Sequence, residues 1–97
     1  FCISSLGVQH DEILKKKIPA IFLKIDNNQN NNFKISKKLN SDFTFDVNNF
    51  NKKKLFNALI KINQEKYRNQ IVKNYSNIKL GNKVFEIIEF IKKKLYE

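Results

Sequence analysis

IPAIFLKI, residues 18–25, is the stretch whose reading decides the fold. Pro19 cannot continue a helix, so the chain must change state near Ile18. From there the sequence is a nearly continuous apolar run, long enough for one strand. Such a run fits a parallel strand covered on both faces rather than a strand with one wet side. Asp26-Asn27-Asn28 ends it.

Upstream, residues 8–17 are predicted to form a helix. Asp11 and Glu12 fall in its first turns and Lys15, Lys16 and Lys17 in its last, which suits the helix dipole at both ends. Ser5-Leu6-Gly7 reads as a turn before it, and residues 1–4 as the end of a strand. Downstream, residues 29–39 are predicted helical on a thin apolar pattern of Phe33, Ile35 and Leu39. Phe43, Phe45 and Val47 alternate with polar residues and predict a strand over 43–47. Residues 48–51 read as a turn with Asn51 as N-cap. Residues 52–64 are then predicted to form a helix with Leu55, Phe56, Leu59 and Ile60 on one face. Residues 65–75 repeat the device with Tyr67, Ile71, Val72 and Tyr75. Gly81-Asn82 breaks the chain before a last helix, 83–96, striped with Val84, Ile88, Ile91 and Leu95.

Strands alternating with helices indicate the α/β class with a parallel sheet, here a partial Rossmann-like sheet followed by C-terminal helices. Three strands make an incomplete sheet. Residue 1 is Phe, and further strands of the same domain are expected to precede it.

Composition narrows the function classes. The chain has 97 residues and one cysteine, which excludes an internal disulfide and a multi-cysteine zinc site. A single histidine excludes histidine-pair metal motifs. No apolar run approaches a bilayer span and no signal pattern is visible, so the cytoplasm is the expected compartment. The net charge of +10 suggests a polyanion or an anionic surface as partner. Yet Lys, Asn, Ile and Phe make up 55 of the 97 residues, and all four have codons rich in A and T, so an AT-rich genome accounts for much of this bias. Arg68 is the only arginine, which argues against sequence-specific reading of duplex nucleic acid.

In open α/β sheets, ligands bind beyond the carboxyl ends of the strands. Two loops occupy that position. Ser4-Ser5-Leu6-Gly7 runs into a helix start, a place suited to phosphate, although an ordinary serine-capped turn is the commoner explanation of such a sequence. Glu12, one turn inside the helix, offers a carboxylate to a ribose diol or to solvent. Asp26-Asn27-Asn28-Gln29 supplies amide donors and acceptors suited to sugar hydroxyls and phosphate oxygens, or simply caps a helix. His10 has no nucleophile pattern around it and reads as a solvated helix residue. Cys2 reads as a buried strand residue, the three KKK runs as solvated helix ends, and the phenylalanines as core.

Together, SSLGVQHDEILKKKIPAIFLKIDNNQ (residues 4–29) resembles the nucleotide-binding stretch of GT-B-type nucleotide-sugar enzymes. That pattern has a small-residue turn (Ser4 to Gly7), a helix carrying a Glu (Glu12), a G-x-P-A entry to a strand (Pro19-Ala20-Ile21), and a loop ending in Asn-Gln (Asn28-Gln29). The tail is similar too, with Leu55, Ala58 and Leu59 in one helix, Arg68 in the next, and Ile78 to Asn82 before the last. Within that group the chain resembles the UDP-sugar hydrolases of pseudaminic acid biosynthesis, relatives of the spore-coat polysaccharide proteins and the peptidoglycan N-acetylglucosaminyltransferase. Two features depart from the pattern: the turn holds fewer glycines, and Lys17 stands where Gly is usual.

The resemblance implies that residues 1–97 are the C-terminal part of a domain that binds a UDP-sugar against an N-terminal domain. Ser5, Leu6 and Gly7 would cradle the diphosphate with backbone N–H groups, Glu12 would hold the ribose, and Asn28 and Gln29 would face phosphate or sugar. The catalytic base would come from the other domain, so no catalytic residue, metal or cofactor is expected in this chain. Two other classes stand beside it: a small basic module binding RNA or an anionic surface, and a structural fragment in which Gly7, Glu12 and Gln29 do not converge.

Overall fold

The structure is a computed structural model, and it describes residues 1–77 and 90–95. The elements run β1 (Cys2–Ser5), α1 (His10–Lys15), β2 (Ala20–Lys24), a short 3-10 turn (Asn27–Gln29), α2 (Asn30–Leu39), a second 3-10 turn (Ser41–Phe43), β3 (Thr44–Asp46), α3 (Lys52–Ile62) and α4 (Glu65–Tyr75). The sheet has order β1-β2-β3 and is parallel throughout. The α/β class is therefore as the alternation predicts. The sequence break at Gly81-Asn82 and most of the last predicted helix lie outside the described residues; 90–95 are helical.

β2 is the central strand, and its apolar run does what parallel pairing on both edges demands. Ile21 and Phe22 point to opposite faces, and both are buried. On the Phe22 face lie α1 and α2. The His10 ring meets Phe22 edge-on at 4.7 Å, and Ser36 of α2 shares a buried hydrogen bond of 2.8 Å with Thr44, the register partner of Phe22. Both crossovers thus pass on one side of the sheet. On the other face α3 packs against β2, with Ala58 and Ile62 fully buried. α4 closes the amino ends of the strands. The Tyr75 hydroxyl donates to the Ile18 carbonyl at 3.0 Å, and buried Asn40 donates to the Ile71 carbonyl at 3.2 Å and accepts from Asn74 at 2.8 Å.

Helix boundaries have local causes. α1 starts two residues later than predicted, because Val8 and Gln9 form a turn and Val8 is fully exposed. It ends in a Schellman motif: Ile18 N–H donates to Ile13 and Lys17 N–H to Leu14. Lys17 takes the left-handed position, with φ of 55°. α3 starts where Asn51 Oδ1 accepts from the N–H groups of Lys53 and Lys54 at 2.9 and 3.1 Å, the cap expected there.

Two expectations need correction. The inward face of α3 is Leu55, Ala58 and Ile62, while Phe56, Leu59 and Ile60 are exposed. And His10 is not solvated but fully buried, because the late start of α1 turns it, with Ile13 and Leu14, against the sheet. The phenylalanines divide: Phe22, Phe43 and Phe45 are core, whereas Phe1, Phe50, Phe56 and Phe90 are exposed.

Candidate functional site

The carboxyl ends of β1 and β2 bring the two predicted loops together. Leu6 N–H extends the ladder by donating to the Leu23 carbonyl at 3.0 Å, and its own carbonyl accepts from Asn32 Nδ2 at 3.0 Å. The loop after β1 is thereby held to the start of α2. Gln29 Oε1 accepts from Ile25 N–H at 2.9 Å, which fixes the amide and turns Nε2 toward the first loop. A methyl placed on Gly7 would stand 3.6 Å from Gln29 Nε2 and 3.5 Å from Ser5 Oγ. Ser5, Gly7 and Gln29 therefore meet in one place.

The other predicted residues behave differently. Leu6 is fully buried and its N–H is engaged by Leu23, so it anchors the loop and does not face a ligand. Asn28 is exposed in the second loop. Glu12 is exposed and forms a 3.0 Å pair with Lys16, the ordinary i, i+4 arrangement of a helix surface. Arg68 donates to the Ile62 carbonyl at 3.1 Å and so closes the end of α3.

Sequence reasoning missed His10. It is fully buried, neither ring nitrogen has a hydrogen-bond partner, and Nδ1 lies 3.8 Å from the Asp11 carboxylate. Burial pushes its pKa down, opposed in part by Asp11. The signal was present: His10, Ile13 and Leu14 share one face at i, i+3, i+4. Burial also raises the pKa of the half-buried Cys2 thiol.

A groove of about 620 Å³ runs beside β3, lined by Phe33, Lys37, Asp46, Asn49, Phe50 and Lys54 among others. It contains none of the predicted residues. Much of its polar lining is already committed to the fold. Lys37 Nζ donates to the Thr44 and Ser41 carbonyls at 3.0 and 3.1 Å. Asp46 meets Lys24 at 3.5 Å and accepts from Asn48 N–H at 3.0 Å. Lys37 and the Asp46–Asn49 bridge occupy the outer edge of β3, which blunts it against pairing. The groove is an edge device rather than a cleft with convergent free groups.

Among the described residues, no cluster of three or more His, Cys, Asp or Glu is placed to hold a metal ion. No helix there is long and apolar enough to cross a membrane. The chain matches no family model, no curated protein and no solved structure.

Proposed function

We propose that this chain forms part of the UDP-sugar-binding half of a nucleotide-sugar hydrolase or glycosyltransferase. The observation that carries the reading is the convergence of Ser5, Gly7 and Gln29 beyond the carboxyl ends of two parallel strands, where α/β sheets hold ligands. A second feature supports it. Lys17, at the place where the resemblance puts glycine, holds the left-handed backbone that glycine favours. On this reading the Gly7 turn approaches the diphosphate, Gln29 Nε2 donates to a phosphate or sugar oxygen, and Glu12 leaves Lys16 to accept from the ribose. Residues outside this chain supply the base. In a hydrolase, water attacks the anomeric carbon and UDP leaves; in a transferase, an acceptor hydroxyl attacks. Such donors are cytoplasmic substrates.

The test is UDP release by the full-length gene product from a panel of UDP-sugars. Gln29→Ala and Glu12→Ala are each expected to raise KM for the donor. Release that is unchanged in both variants rejects the assignment of the site. No release from any donor, with RNA bound in a salt-sensitive way, favours the basic module instead. Against RNA stands the spread of lysines over α1, α2, α3 and α4.

A further inference from the structure

α3 is amphipathic twice over. Its Leu55–Ala58–Ile62 stripe faces the sheet. At about 100° per residue Phe56 and Ile60 stand well round the helix from that stripe and Leu59 on its flank, and they are 64%, 49% and 40% exposed. Lys52 and Lys53 stand in the first turn on the Phe56 side and are exposed too. Three lysines at a helix start oppose the dipole, and the first turn holds no acid. An outward apolar stripe bordered by cations is thus built where neither helix propensity nor the core calls for it.

We propose that this face of α3 docks on an anionic lipid surface, with Phe56, Leu59 and Ile60 entering the headgroup boundary and Lys52 and Lys53 meeting the phosphates. Charge selects this occupant. A second copy of a chain carrying +10 would bring like charges together. RNA would find only one aromatic ring on the stripe, and Leu59 and Ile60 offer it no stacking face. Aliphatic side chains gain by leaving water for acyl chains. Residues 90–95 show the same chemistry, with exposed Phe90, Ile91 and Leu95 among Lys92, Lys93 and Lys94. The proposal is independent of nucleotide-sugar binding.

The test is co-sedimentation of the full chain with vesicles of phosphatidylcholine alone and of phosphatidylcholine mixed with phosphatidylserine. Binding is expected only to the mixed vesicles and should weaken as salt rises. The double variants Phe56→Ser/Ile60→Ser and Lys52→Glu/Lys53→Glu should each lose about tenfold or more in partitioning, with unchanged circular dichroism. Equal binding to neutral vesicles, no binding to either, or full binding by both variants overturns the proposal. So does a shift to dimer in light scattering that the Phe56→Ser/Ile60→Ser variant abolishes. Salt-sensitive RNA binding that the same variant weakens, with no vesicle binding, overturns it in favour of nucleic acid.

Discussion

Replacing Lys17 by glycine is expected to stabilise the protein. Lys17 sits at φ of 55°, with its N–H bonded to the Leu14 carbonyl and the next N–H, of Ile18, to Ile13. The Schellman geometry therefore leaves it no other backbone conformation. A side chain there brings Cβ against the following carbonyl, at a cost of roughly 1–2 kcal/mol. Glycine removes that cost but enlarges the freedom of the unfolded chain by about 0.5–1 kcal/mol. The net gain is about 0.5–1 kcal/mol, which for a domain of this size raises Tm by about 2–8 °C. Lys17→Ala is the control, since it removes the charge and keeps the left-handed strain. Thermal and urea unfolding followed by circular dichroism compare the three proteins. If Gly is no more stable than Ala, the strain argument fails and the end of α1 is not built as described.

Gly7 should behave in the reverse way. Its φ is not positive and an added methyl meets only ordinary contacts, so Gly7→Ala should raise stability by about 0.4–1 kcal/mol in urea unfolding while weakening UDP binding by the full-length protein. Asn40→Ala removes buried hydrogen bonds to Ile71 and Asn74 and should cost about 2–3 kcal/mol by the same melt. Thr44 Oγ1 donates to the Asn40 carbonyl, so Ser36 must donate to Thr44; Thr44→Val, which strands both partners, should destabilise more than Ser36→Ala, and equal losses would break that hydrogen-bond order. Because burial holds the pKa of His10 below that of the unfolded chain, its neutral form is favoured in the fold. Stability should be fully present above the ordinary histidine pKa of about 6.5 and fall as pH drops through it, until the lower folded-state value is passed. Unfolding measured across that window should lose this slope in His10→Leu.

The fold was legible where one residue type left a single option. Pro19 followed by an apolar run allowed little but a buried strand, and Asn51 before KKK announced a cap. The failures came where two options were equally written. α3 carries two apolar stripes, and the one with the larger side chains is the wrong one for the sheet. The helix uses Ala58 at the contact, with no exposed surface left, because a small residue lets its backbone come close to β2. At α1, the Gly7-Val8-Gln9 turn delays the helix and hands the inward place to His10 instead of Val8. Ile13 and Leu14, three and four residues on, mark that inward place, so it is the start of the helix and not its face that the sequence leaves open.

The same asymmetry bears on the site. Its two loops are legible in the sequence, but whether they touch depends on Asn32 and Leu6, residues 26 apart in sequence. The sheet edges then decide on which side a ligand has room. β3 is closed off by Lys37 and by the bridge to Asn49. β1 carries no charge from Cys2 to Ser5, and its Ile3 and the preceding Phe1 are 52% and 57% exposed. An edge without lysine, proline or bulge is one that pairs, so β1 is the side able to take another strand. Among the described strands the order β1-β2-β3 never reverses. Ser5, Gly7 and Gln29 meet at the carboxyl ends of β1 and β2, the end of such a sheet at which ligands bind, beside the edge that is left open.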